Sequence, residues 1–225
     1  MYDVVALMPM RHFSSRIKGK NYKVFGDDRP LFFHMASKLV SCKEINKVVI
    51  DTDSQIIKEL LRKNFPEIMI IDRPQSLSHE DCPMNEILLY DITQVKSKFY
   101  IQTHSTNPLL STKSILDSLR LFKQKFPTYD SLFSVTKRQT RFWDSTVRPI
   151  NHNKNILMRT QDLPPVYEEN SCIYIFERES LEKNRNRIGK RPFMYELDPV
   201  EASDIDEKTD FLLTETLYKM AINKK

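Results

Sequence analysis

From Val4 to Val135, short apolar runs alternate with segments whose apolar residues fall at helical spacing. No other feature restricts the possible folds as much. Val4–Met8 is continuously apolar, as in a strand buried on both faces. Leu31, Phe32, Met35, Ala36, Leu39 and Val40 recur at the spacing of an amphipathic helix. Lys47–Ile50 predicts a second strand, closed by Asp51-Thr52-Asp53, and Ser54 can cap a helix running to about Lys63. Ile68–Ile71 predicts a third strand, Arg73–Met84 a loop with two prolines, and Asn85–Val95 a helix. Phe99–Gln102 and Ser131–Val135 predict two further strands around a helix over Thr112–Phe126. The expectation is one α/β domain over residues 1–225, with a mainly parallel, doubly wound sheet covered by helices on both faces. Ligands of such sheets sit outside the carboxyl ends of the strands.

The alternation stops after Val135. Lys137–Asn170 is rich in Arg, Asn, Pro and aromatic residues and lacks helical periodicity. A structureless loop of that length does not suit a compact domain, so residues 137–170 read as a hairpin-like excursion. Phe142, Trp143, Ile150, Ile156, Leu157 and Val166 give it more apolar surface than it can bury on itself. A two-fold homodimer, each excursion packed on the neighbouring subunit, is the expected solution; packing of Trp143 inside its own subunit is the other. Regular structure resumes at Cys172–Phe176, and Thr209–Ile222 predicts a closing amphipathic helix.

Composition removes several function classes. Only three glycines occur, Gly19, Gly26 and Gly189, which excludes a dinucleotide fingerprint and a Walker-type loop. The cysteines, Cys42, Cys82 and Cys172, are odd in number and lack metal-ligand spacing, pointing to a reducing compartment. No apolar run approaches the length of a membrane span, and the N-terminus lacks signal-peptide features. A cytoplasmic protein with no membrane partner is expected. The net charge of +5 is interspersed with acids, and Lys224 and Lys225 form only a short tail. This reads as solvated surface plus a local anion site, not a nucleic-acid face.

Two features carry chemistry. The run Ser203-Asp204-Ile205-Asp206 places two carboxylates at i, i+2, on one side of an extended segment. Two hard oxygen donors suit Mg²⁺ completed by substrate phosphates, although such a pair also occurs in turns and helix caps. At the other end, the first strand empties into a loop bearing Arg11, Arg16, Lys18, Lys20 and Asn21, a place to hold phosphates. A phosphate site and a metal site on one α/β chain imply nucleotide chemistry. Asp53 reads as a helix cap, and Asp51 is left open. Arg73 reads either as a loop-ordering arginine or as a base contact. His12 and His104 read as polar loop residues, with His104 at a strand end where a ligand contact is also open.

Pro9-Met-Arg11-His-Phe-Ser14-Ser-Arg16-Ile-Lys-Gly19-Lys20-Asn21 resembles the N-terminal signature of the CMP-acylneuraminate (sialic acid) cytidylyltransferases. Further pieces follow in that family's order: Asp51-Thr52-Asp53, Arg73-Pro74 with Leu77 and Asp81, Thr106-Asn-Pro108-Leu109, Glu169-Asn170-Ser-Cys-Ile173-Tyr174, and Asp204-Ile-Asp206 with Asp210 and Glu215. The resemblance covers nearly the whole chain and implies a Rossmann-like nucleotidyltransferase fold. It also implies a reaction: CTP and a 2-keto sugar acid, sialic acid or a related nonulosonic acid, give a CMP-sugar and pyrophosphate with Mg²⁺ as cofactor. Arg11, Lys20 and Asp206 would be catalytic, with Arg11 nearest the reacting phosphorus. Ser14, Arg16, Asn21 and Arg73 would join Arg11 and Lys20 in holding the nucleotide. Asp204 and Asp206 would bind the metal. His104, Thr106, Arg159, Gln161 and Tyr174 would lie at the sugar acid, and the excursion would close over the partner subunit's sugar site.

The chain departs from the family pattern where His12 and Phe13 replace glycines, Ser15 a lysine and Lys18 a proline. His104 and Leu110 replace the glutamine and arginine that flank the Thr-Ser-Pro-Leu loop. An alternative from another class is therefore a non-catalytic homologue that binds a nucleotide or sugar acid without turning it over.

Overall fold

A computed structural model describes residues 1–222; the basic pair Lys224 and Lys225 lies outside the described residues. The chain runs β1 (Tyr2–Leu7), β2 (Val24–Phe25), β3 (Arg29–Pro30), α1 (Leu31–Ser41), β4 (Lys47–Thr52), α2 (Gln55–Asn64), β5 (Met69–Asp72), α3 (Met84–Gln94) and β6 (Ser97–Thr103). It continues through α4 (Thr112–Lys125), β7 (Ser131–Arg138), β8 (Val166–Glu177), α5 (Arg178–Asn184), β9 (Pro192–Glu196) and α6 (Lys208–Ile222). Seven strands form one sheet in the order β5-β4-β1-β6-β8-β7-β9. Pairs β1·β4, β1·β6, β4·β5 and β7·β9 are parallel, and β8 runs antiparallel to both β6 and β7. The mainly parallel sheet expected from the alternation is thus present, with β8 as the reversed strand.

The period of two along β1 divides the core. Val4, Ala6 and Met8 pack with residues of α1, α2 and α4 on one face. Val5 and Leu7 pack with Leu88 and Ile92 of α3 and Leu181 of α5 on the other. A strand buried on both faces must be apolar throughout, which is why β1 reads as an unbroken hydrophobic run. Ser54 caps α2, its hydroxyl accepting from the Ile57 amide at 3.4 Å. Asp53, expected to cap, instead accepts from the His12 amide at 2.6 Å and braces the loop after β1. Among the described residues no helix is long and apolar enough to cross a membrane.

Sequence patterning missed the hairpin of β2 and β3, the short α5, and β9. β9 is a half-exposed edge strand opening on Pro192, a position where proline forfeits no ladder bond. The excursion is a long loop joining β7 to β8, which pair antiparallel from Val135–Arg138 against Val166–Glu169. Asn151 stitches it internally: its side-chain amide donates to the Thr140 and Pro164 carbonyls at 2.7 and 2.9 Å, and its oxygen accepts from the Phe142 amide at 2.9 Å. Trp143, Val147, Ile150, Ile156 and Leu157 nevertheless stay exposed, Leu157 at 90%.

Candidate active site

The loops that follow β1, β5 and β6 meet the segment before α6 around a cavity of about 390 Å³. After β1 the chain keeps contact with β4 for one more turn of the ladder, Met8 donating to Val49 at 3.0 Å and Met10 to Asp51 at 2.8 Å. It then leaves the sheet. Gly19 adopts a left-handed φ of 66° at the point where a Cβ would meet the Tyr22 ring at 2.7 Å. The turn this permits starts a short 3-10 helix, Lys20–Tyr22, that aims Lys20 into the cleft.

Asn21 ties two loops together. Its amide donates to the Arg11 carbonyl at 2.8 Å, and its oxygen accepts from the Ser105 hydroxyl at 2.7 Å. Asn21 is almost wholly buried and braces the floor of the cavity. The segment after β6 is in turn bound to the last loop: Ile205 donates to the Thr106 carbonyl at 3.0 Å, and Asn107 donates to the Ser203 carbonyl at 3.3 Å. Lys38 of α1 fastens the same segment from beneath, donating to the Pro108 and Leu110 carbonyls at 2.6 and 2.7 Å.

Ile205 is fully buried, and that anchor sets the two aspartates on either side of it at the cleft. Lys20 donates to the Ile205 carbonyl at 2.6 Å and reaches Asp206 at 3.3 Å; Arg16 meets the same Asp206 oxygen at 2.9 Å. Asp204 is held by the Asn107 side chain at 3.4 Å. Burial, and then the charge of Asp206, raise its carboxyl above the usual carboxylate range against the bond from Thr106. Two neighbouring carboxylates open to a cleft lined with cations form a donor set that a hard divalent cation fits once phosphate oxygens complete its shell. Among the described residues no group of three or more His, Cys, Asp or Glu is placed to hold a metal unaided.

Arg11, Ser14, Arg73, His104 and Thr106 also line the cavity. Arg11 donates to the Glu80 carbonyl at 3.1 Å and lies 3.7 Å from its carboxylate. Arg73 is bound to Asp51, both nearly inaccessible. His104 is partly buried and flanked by Arg187 and Lys20; burial and then these two charges push its pKa down to about 3. The imidazole is neutral at physiological pH, with Nε2 positioned 2.7 Å from the Gln102 side-chain nitrogen.

Three assigned substrate residues stand elsewhere. Tyr174 is fully buried, its hydroxyl engaged by Glu169 and, at 3.2 Å, by Ser171, and it meets the cleft through Ser171 and Arg187. Arg159 and Gln161 are exposed on the excursion, Arg159 paired with Asp162 at 2.7 Å, and neither lines the cavity of its own chain. Sequence reasoning missed Arg187, Ser171 and Glu80, all of which line the cavity. Ser171 carries a signal in hindsight: it adopts φ 58°, a left-handed conformation, at the place of the glycine in the family motif Asn-Gly-Ala-Ile-Tyr-Ile. Arg187 sits in a basic, asparagine-rich run with no periodicity to single it out.

Comparison with known proteins agrees with this geometry. A family model described as cytidylyltransferase matches residues 5–223. The post-translational flagellin modification protein B of Campylobacter coli is 24% identical, covering 97% of this chain and 96% of that protein. The N-acylneuraminate cytidylyltransferase of Escherichia coli O18:K1:H7 is 21% identical over 99% of this chain, which spans only 54% of that longer protein. Among solved structures, a CMP:2-keto-3-deoxy-manno-octonic acid synthetase complexed with CTP superposes with a TM-score of 0.72 at 15% identity, covering 98% of this chain and 99% of that one. A 4-diphosphocytidyl-2C-methyl-D-erythritol synthase from Anaerococcus prevotii superposes at 0.67 with 12% identity over 96% of each chain, and both likenesses speak to the fold. With the model matching almost end to end, the chain belongs to the cytidylyltransferase family.

Proposed function

We propose that this protein activates a sugar acid, sialic acid or a related nonulosonic acid, by transferring CMP to it from CTP with release of pyrophosphate. The observation that carries the reading is the convergence of Arg16 and Lys20, from the loop after β1, on Asp206, with Asp204 beside it. Cations and paired carboxylates on one cleft are what a nucleoside triphosphate and its metal need. The acid acceptor is supported by relatives whose names include N-acylneuraminate cytidylyltransferase and CMP-N,N'-diacetyllegionaminic acid synthase.

The acceptor's anomeric hydroxyl attacks the α-phosphorus as the bond to pyrophosphate breaks, so no protein nucleophile is required. The protein positions the reactants and stabilises charge on the phosphoryl oxygens. Arg11 exchanges Glu80 for the triphosphate, and Lys20 and Arg16 exchange Asp206 for phosphate oxygens. With that exchange the Asp206 carboxylate would join Asp204 in holding Mg²⁺. The bound ion supplies charge neutralisation at the phosphates. Arg73, fixed by Asp51, presents a rigid guanidinium to the nucleotide.

The same reading includes a homodimer. The exposed apolar side chains of the excursion favour a covering surface. Arg159 and Gln161 can touch a sugar acid only if the excursion reaches a second subunit's cleft. A pyrophosphate-release screen, CTP against the other triphosphates across a panel of 2-keto sugar acids with Mg²⁺, tests the proposal. Release with CTP and at least one acid supports it, and silence across the panel refutes it.

A further inference from the structure

The cations of the cleft divide into those that have a counter-ion and one that does not. Arg11 faces Glu80, Arg16 and Lys20 share Asp206, and Arg73 is bound to Asp51. Arg187 alone has no carboxylate within ion-pair distance among the described residues. Its Nη1 donates to the Gln102 side-chain oxygen at 2.7 Å, and its guanidinium carbon lies 3.5 Å from the centre of the Tyr174 ring. Both partners are neutral. Glu169, the acid whose charge it feels, is engaged by the Tyr174 hydroxyl.

A half-buried charge without a counter-ion is costly to fold around. Burial pulls the Arg187 pKa down, yet a guanidinium stays charged under any physiological condition. The fold also fixes it. Stacking on Tyr174 and the bond to Gln102 hold the plane of the fork still, which lowers the ordering entropy a ligand must overcome. His104, beside it on the cavity wall, adds no competing charge: it is kept neutral in part by Arg187 itself.

The geometry points to Arg187 as the residue that binds the carboxylate of the acceptor. A planar, preorganised fork is matched by a carboxylate in two parallel hydrogen bonds. Arg16 and Lys20 stand at Asp206 and Arg11 at Glu80, and these serve the triphosphate; an anion at Arg187 is assigned to the second substrate. The inference rests on the sugar-acid reading and narrows it: the acceptor is recognised as an anion, and a neutral sugar of the same shape is rejected at this residue.

Binding can be measured without turnover. Calorimetric titrations with CDP present would use 3-deoxy-manno-octulosonate, N-acetylneuraminate and N,N'-diacetyllegionaminate, each beside its methyl ester. Wild type should bind at least one acid on the order of ten-fold or more tighter than its ester, the scale of a lost charge-assisted contact. Arg187→Met should erase that preference while leaving ester and CDP affinities unchanged, and Arg187→Lys should restore part of it. Retention of the acid preference in Arg187→Met, equal binding of acid and ester by wild type, or no binding of any acid would each overturn the assignment. Binding with the expected preference but no pyrophosphate release would instead refute the transferase reading and leave Arg187 as an acid-recognition residue.

Discussion

The guanidinium of Arg73 and the carboxylate of Asp51 form an ion pair with almost no solvent access, their side chains 4% and 0% exposed. Asp91 of α3 completes the cluster. Both oxygens of Asp91 and Oδ2 of Asp51 are buried with no other partner; a proton carried by Asp91 and donated to Asp51 pairs two of these three oxygens. Burial, and then the neighbouring Asp51 charge, push the Asp91 carboxyl up to about 9. Of the two acids Asp51 is the ionised one, because it is the one in contact with Arg73. The cluster works as a mount: α3 supplies a neutral acid, β4 an anion, and the loop after β5 a cation on the cavity wall.

Removing the anion should be severe. Asp51→Ala leaves Arg73 buried and unpaired, a loss on the order of 3–5 kcal/mol. Chemical denaturation of the variant against wild type checks this, and a loss below about 1 kcal/mol would count against the buried pair.

Asp91 makes a prediction about pH. Its native pKa lies above the value near 4 of an unfolded aspartate, so the folded chain holds one more proton across the window from about 4 to about 9. Stability therefore falls as pH rises through that window. Asp91→Asn keeps the donor to Asp51 and removes the titration. Melting temperatures from pH 5 to 8.5 should decline more for wild type than for the variant, and parallel curves would refute the shared proton.

Asp204→Asn with Asp206→Asn should abolish Mg²⁺-dependent pyrophosphate release, by on the order of 100-fold or more, while the protein melts close to wild type. Both carboxylates are partly accessible: Asp206 pairs with Arg16 and Lys20 of the cleft, and Asp204 keeps an amide contact from Asn107 that an asparagine also accepts. Wild-type turnover in the double variant would remove them from the metal site.

Phe142→Glu with Trp143→Glu should weaken self-association and activity together. Trp143 is 45% exposed on the excursion. Light scattering checks the mass, and a fully active monomer at micromolar concentration would defeat the dimer.

The central sheet was legible because β1, β4 and β6 are buried on two faces and so declare themselves as apolar runs. β9 was not, because an edge strand with alternating exposure and a leading proline resembles loop. The two ends of the site were legible for a chemical reason: a basic loop after a first strand and an Asp-x-Asp pair stand out at any distance. That Lys20 and Asp206 touch was beyond the pattern, since a separation of 186 residues leaves no trace in local spacing. Asp53 misled, because an aspartate just ahead of a helix suits a cap, whereas here Ser54 caps and the tertiary fold brings the His12 amide to Asp53. Arg187 was silent, because its distinction is the lack of a counter-ion, a property of its surroundings and not of its neighbours in sequence.

The bond from Lys20 to the Ile205 carbonyl joins segments 185 positions apart, and that has a consequence for the protein's life on the ribosome. The anion loop and most of the sheet are synthesised long before the paired carboxylates exist, and the cleft has no final wall until Ile205 has been added and has docked. A chain stopped at Glu196 could complete all seven strands and still be inert. Turnover in a mixture of nascent and finished chains would therefore count finished molecules, and a damaged C-terminal segment would silence the enzyme before the rest of the domain registered any loss.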